Sequence, residues 1–183
     1  MIEQILTRKN MLRAMYQVQK NQGSAGVDYM PVSKLSELLS IDKGELITKV
    51  LLGSYLPQAI LGVEIPKGNG NTRLLGIPTV TDRLLQQAVL QVINAWFEFE
   101  FSDHSYGFRP NKNLHQAVLK AQGYINEGYQ DIVDIDLKSF FDEVDHRHLL
   151  QLVHRKVKCR DTMRLIRKWL RAPIKIKGRL VKR

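Results

Sequence analysis

One cysteine, Cys159, is the only thiol the chain carries. A lone thiol closes no internal disulfide, which excludes a disulfide-stapled secreted scaffold and a dithiol redox centre. Long apolar runs are missing as well: no stretch approaches the roughly 20 residues that cross a bilayer. The opening MIEQILTRKN lacks the charged-then-apolar order of a secretory signal. These absences predict a cytoplasmic chain with no membrane partner. No repeat and no low-complexity tract is present, which excludes a solenoid. His146, His148, His154 and Cys159 contain no pair at the spacing of a strong zinc motif, so capping and surface roles are expected of them.

Acidic residues are the scarcer charge, 18 against 28 Lys and Arg in 183 residues, for a formal net charge of +10. A hydrophobic fraction of 44% fits a globular chain, either one domain or two small lobes sharing a core. The basic excess is the footprint of a nucleic-acid binder, with a basic protein lacking any polyanionic partner as the alternative. Against this background, DIVDIDLKSFFDEVDH at 131–146 gathers six carboxylates in sixteen residues.

Periodicity organises the rest. Residues 2–20 read as a helix, NQGSAGVDYMP as a loop, and 32–40 and 42–53 as two short helices. AILGVEIP and TRLLGIP around a Gly-Asn-Gly turn read as a β-hairpin. From Thr79, the positions Leu84, Leu85, Ala88, Val89, Val92 and Ile93 form the wide apolar stripe of a core helix. Helices are expected over 112–127, 146–156 and 160–171, and a strand over 130–137 with Asp134 and Asp136 on one face. PIKIKGRLVKR reads as a strand, a turn at Gly178 and the start of a second strand. The fold class is α+β.

Two carboxylates at i and i+2 on one strand face repel unless a cation lies between them. Mg²⁺ is the natural partner, held by one or two carboxylates plus substrate phosphates. A solvated edge strand with ordinary surface acids is the plain alternative, although the apolar residues around the acids and Phe140-Phe141 argue against it.

Four blocks in order, NQGSAGVDYM, IPKGNGNTRLLGIPTVTDRLLQQAVLQVI, SYGFRPNKNLHQA and DIVDIDLKSFFDEVDHRHLL, resemble the group II intron-encoded reverse transcriptases, or intron maturases. The resemblance covers nearly all of residues 10–183. It implies a mostly helical fingers lobe with a β-hairpin plus an incomplete palm sheet of a right-hand polymerase. It also implies an extension over 1–30, fingers over 31–128 and a partial palm over 129–183. Asp136 matches the first catalytic aspartate and metal ligand, with the Leu137 carbonyl supporting the nucleotide-bound ion of a two-Mg²⁺ site. Phe141 matches the bulky residue beneath the incoming deoxynucleotide sugar, and Lys67 and Arg73 match the residues that grip its triphosphate. Gly23, Ser24, Ala25 and Gly26 would lie against template RNA. Arg109 would brace the fingers or contact the template, with a structural role inside its own loop as the equal alternative.

The family's Tyr-Xaa-Asp-Asp and Pro-Gln-Gly motifs occur nowhere in the chain. The expectation is therefore an amino-terminal piece of a longer protein, inactive alone and prone to self-association or to a repacked end near 172–183, because a palm cut midway leaves a strand edge unpaired. An RNA-directed DNA polymerase with an intron RNA template and a DNA or RNA primer is one functional expectation. An RNA-binding module that assists splicing is the second, and an unrelated metal nuclease is the third.

Overall fold

Thr7 breaks the first expected helix in two. Its side chain accepts a hydrogen bond from the Asn10 amide at 3.4 Å, so it caps a new helix and leaves a single turn behind it. In the computed structural model, which describes residues 1–42, 44–67 and 70–181, α1 is Ile2–Ile5 and α2 is Arg8–Asn21. Pro31 leads a 3₁₀ turn into α3 (Leu35–Ile41), and α4 is Glu45–Leu51. Strands β1 (Ile60–Pro66) and β2 (Thr72–Ile77) form the expected hairpin, and α5 (Val80–Glu98) follows. The remaining elements are α6 (Leu114–Asn126), α7 (Phe140–Glu143), α8 (His146–Val157), α9 (Arg160–Leu170), β3 (Ile174–Ile176) and β4 (Arg179–Val181). Gly68 and Asn69 of the expected turn, and Lys182 and Arg183, lie outside the described residues.

The chain forms two compact units, one of Met1–Ile93 with His146–Arg183 and one of Asn94–Asp145. The first holds a mixed sheet of order β2-β1-β3-β4. β1 pairs antiparallel with β2, in register Leu61 to Ile77, and parallel with β3, in register Ile60 to Ile174. The end expected to be left unpaired or repacked therefore forms a hairpin on the sheet, with Ala172 and Ile174 buried. Gly62 makes this possible: a Cβ there would come within 2.9 Å of both Ile174 and Ile176 side chains. No helix among the described residues is long and apolar enough to cross a membrane.

The α5 stripe is the centre of the core, as its spacing predicts. Leu84, Leu85 and Ala88 have no exposed surface and pack with Ile5, Ala14 and Leu35. Each such side chain contributes about 1.5–3 kcal/mol by leaving water. Asp82, 1% exposed, sits in the same core. One carboxylate oxygen accepts from the Tyr55 hydroxyl at 2.7 Å and the Trp169 Nε1 at 3.0 Å; the other accepts from the Thr79 hydroxyl at 2.8 Å and the Gln58 amide at 3.3 Å. Four donors offset the cost of burying the charge. Lys168 extends the tie, donating to the Gly53 and Tyr55 carbonyls at 2.7 and 2.6 Å.

Burial first, and then the Asp82 charge and hydrogen bond, push the Tyr55 phenol far above its ordinary value. Unfolded tyrosine titrates near pH 10. Above that pH the unfolded chain loses this proton while the native chain keeps it, so stability is full below pH 10 and falls as pH rises. Urea unfolding between pH 9 and 12 should show wild type losing about 1.4 kcal/mol per pH unit more steeply than Tyr55→Phe. Parallel pH profiles for the two proteins would contradict this.

The second unit departs most from expectation. Residues 131–137 form no strand, and Ile132, Val133 and Ile135 are each more than 80% exposed. Alternating apolar residues make a strand only when a neighbour satisfies their backbone groups, and these residues have no such partner among the described ones. Helix α6 is closed by an Asn113–Gln116 capping box, yet none of its residues is buried, so its apolar face also lacks a covering layer. Phe140 is half-exposed and meets Phe141 edge-on with centroids 5.4 Å apart.

Candidate nucleotide and nucleic-acid site

The hairpin presents two cations together. Arg73 stands directly opposite Ile65, and Lys67 follows Ile65 by two residues, its amide donating to the Asn71 carbonyl at 2.6 Å. Lys67 directly follows the last residue of β1 and Arg73 lies on β2, so the end of the hairpin carries both, and both are exposed. An ammonium and a forked guanidinium at one end of a hairpin can bracket a polyphosphate. Neither has an ion-pair partner among the described residues, whereas Glu64 pairs with Lys177 at 2.8 Å.

In the second unit, Asp136 is exposed, with no hydrogen bond or ion pair among the described residues. Leu137 is 63% exposed and Phe141 86% exposed. Ser139, at φ 53°, turns the chain from the acidic segment into α7, so Asp136 and Phe141 flank a sharp bend. Among the described residues no group of three or more His, Cys, Asp or Glu side chains could hold a metal ion. Asp134 and Asp136 alone do not make a metal centre; they can supply carboxylates to one whose remaining ligands come from elsewhere.

Arg109 is the most firmly held of the expected site residues. Its Nε and Nη2 both reach Glu98 Oε1 at 2.9 Å, its Nη1 donates to the Ser102 and Ser105 carbonyls at 2.5 and 3.0 Å, and the guanidinium lies over the Phe101 ring. With the side chain 8% exposed, these contacts tie Arg109 to its own loop. Lys112 supports the same loop by donating to the Asp103 carbonyl at 3.0 Å.

Gly23 to Gly26 close on their own unit. Arg83 donates to the Ser24 carbonyl at 2.7 Å and to the Gln22 carbonyl at 3.4 Å. Burial lowers the Arg83 pKa, and the Asp28 charge opposes that shift. Gly26 is required by packing: a Cβ there would lie 2.8 Å from the Thr79 Cα, a backbone atom that cannot step aside. The small residues of this loop thus seat it on the start of α5, and Ser24 and Ala25 form its outer edge.

Sequence reasoning passed over Asp82 and Arg83, which hold this region together. Their signal was present in TVTDR, where Thr79 and Asp82 stand three apart as in a capping box, and the Thr79 hydroxyl does accept from the Asp82 amide at 3.2 Å.

Comparison with known proteins bears on what these groups do. A profile of the family described as reverse transcriptase (RNA-dependent DNA polymerase) matches residues 65–183. The chain is 33% identical over 157 residues to the protein YkfC of Escherichia coli, covering 84% of this chain and 41% of that one. It is 36% identical over 129 residues to the group II intron-encoded protein LtrA of Lactococcus lactis, covering 70% of this chain and 21% of that one. Nuclear intron maturase 1 of Arabidopsis thaliana is 29% identical over 89 residues, covering 49% of this chain and 12% of that protein. The chain thus spans about two fifths or less of the length of these relatives. With the family profile extending over most of its residues, the chain belongs to the reverse transcriptase (RNA-dependent DNA polymerase) family, among its group II intron-encoded members.

Proposed function

We propose that this chain supplies the fingers and the first part of the palm of a right-hand RNA-directed DNA polymerase encoded by a group II intron. The observation that carries the reading is positional. Lys67, Arg73, Asp136, Leu137 and Phe141 all fall inside the family match at 65–183. The division into an extension (1–30), fingers (31–128) and a partial palm (129–183) is part of the same proposal.

Each side chain has a distinct task. Lys67 and Arg73 neutralise the triphosphate of an incoming deoxynucleotide and hold it in line, which is most of what a phosphoryl-transfer enzyme must do. Asp136 provides one carboxylate, and the Leu137 carbonyl one neutral oxygen, for Mg²⁺. When bound, Mg²⁺ supplies positive charge to the phosphates. Phe141 supports the sugar and excludes a 2′-hydroxyl by bulk. Ser24 and Ala25, held by Arg83, rest against template RNA, with Gly23 and Gly26 setting the loop's path. The Arg109 brace fixes the loop at 102–113.

Phe141 gives a clean test because its exposed ring contributes little to the fold. In the full-length protein, Phe141→Ala should raise ribonucleotide incorporation relative to deoxynucleotide by about 10²-fold, the scale of discrimination a shaped pocket supplies. Unchanged discrimination in primer-extension assays would remove the sugar-contact role.

A second reading, an RNA-binding module that assists splicing, is favoured by the net charge of +10 and by the intron maturase among the relatives. The two separate by mutation. Loss of copying with splicing retained assigns them to different surfaces.

A further inference from the structure

Helix α9 carries Arg160, Arg164 and Arg167, and Arg171 follows at its C-cap. These positions, at i, i+4, i+7 and i+11, form one stripe along the helix, opposite the buried Thr162, Leu165 and partly buried Trp169 that face the core. Helix α8 faces it with Arg147, Gln151 and His154 at i, i+4 and i+7, one arginine among polar side chains. The two stripes line an open groove of about 960 Å³, with Leu150, Met163 and Leu170 among its apolar lining and no carboxylate in it.

Such a surface works against its own stability. Of the lining arginines, only Arg164 has an ion-pair partner among the described residues, Asp161 at 3.3 Å. Arg160, Arg167 and Arg171 are exposed along one row, and Arg147 is exposed on the facing wall. Like charges spaced one helical turn apart destabilise a helix, whereas alternating signs would have stabilised it. A cationic row on the α9 wall, with Arg147 on the α8 wall and apolar side chains between, fits a polyanion laid lengthwise. A row of guanidinium forks suits phosphates, which it can grip bidentately.

We propose that the α8–α9 groove is a docking surface for the phosphodiester backbone of a folded RNA, separate from the residues assigned above to nucleotide and template. The choice of RNA rests on the proposed reading of the chain as an intron-encoded reverse transcriptase. The contacts are to phosphates and so are independent of base sequence.

The test uses the 183-residue chain and a structured RNA hairpin, with affinity measured from 50 to 300 mM KCl. Replacing Arg160, Arg167 and Arg171 by Gln should weaken binding at least tenfold near 150 mM and reduce the slope of log K against log[salt] by about one per arginine. The corresponding Lys replacements should restore most of that slope. A control triple, Gln in place of the exposed Arg13, Lys20 and Lys34, changes net charge equally and should shift the slope by less than about one. Melting temperatures should not fall for either triple, since all six side chains are exposed, and the groove triple, relieved of like-charge repulsion, should melt no lower than wild type. If the control weakens binding as much as the groove variant, or if polyglutamate displaces the RNA at equal charge, the groove proposal is overturned. Wild-type binding untouched by the groove triple overturns it as well, while failure of wild type to bind any RNA sinks the RNA reading on which it rests.

Discussion

Asp136→Asn should abolish RNA-templated DNA synthesis by the full-length protein, lowering the rate by about 10³-fold or more, while leaving RNA affinity and melting temperature unchanged. The size follows from the proposed role: a carboxylate that would hold Mg²⁺ beside the developing phosphate charge would contribute, through the cation, several kcal/mol to the transition state. Specificity follows from the surroundings. Asp136 is exposed and tied to nothing among the described residues, so the amide replaces it without a cavity or an orphaned donor. Surface changes of that kind usually alter stability by less than about 0.5 kcal/mol. Asp134→Asn offers an internal comparison, since Asp134 is equally exposed and matches no family ligand. Equal activity of wild type and Asp136→Asn would remove the metal-ligand role; loss of RNA affinity along with synthesis would mean that the two functions share this residue.

Asp82 predicts the opposite pattern, a large effect on folding. Asp82→Ala strands the Tyr55 hydroxyl, the Trp169 indole N–H and the Thr79 hydroxyl at once, all held by that carboxylate. Breaking a buried charged network by removing its centre costs about 3–5 kcal/mol, a large share of the 5–15 kcal/mol that holds a typical domain together. Asp82→Asn should cost less, about 1–3 kcal/mol, because the amide oxygen still accepts while its NH₂ faces two donors. Urea unfolding followed by Trp169 fluorescence reads both. A change below about 1 kcal/mol for the alanine variant would show that the network contributes little.

The difference between these two aspartates also shows what the sequence makes legible. The hairpin, α5, α8 and α9 carry local signals, namely turn residues, 3.6-residue periodicity and terminal caps, and they form where those signals place them. Asp82 carries only a helix-start signal, because its partners Tyr55 and Trp169 lie 27 and 87 residues away along the chain. The parallel pairing of Ile60 with Ile174 is hidden for the same reason. At 130–137 the pattern is that of a strand, but a ladder needs a second strand, and period alone supplies none. Thr7 shows the reverse: a strong cap overrides a continuous apolar pattern and starts a new helix.

The site divides likewise. Once the hairpin register is known, Lys67 and Arg73 fall at the same end of the hairpin. The roles of Asp136, Leu137 and Phe141 come from family resemblance, since their exposed setting has no buried partner to reveal them. Arg109 and Gly26 were singled out as nucleic-acid residues, and the packing gives each an internal duty. Loop closure on Glu98 explains Arg109, and close approach to Thr79 explains Gly26.

Asp136 and the Lys67–Arg73 hairpin are proposed to belong to a polymerase that copies RNA, and primer extension by the full-length protein on an RNA template with Mg²⁺ and deoxynucleotides tests this directly. Template-length DNA that requires Mg²⁺ and deoxynucleotides is the predicted result. Absence of extension together with Mg²⁺-dependent cleavage of RNA by the 183-residue chain alone would contradict it and assign these acids to a nuclease.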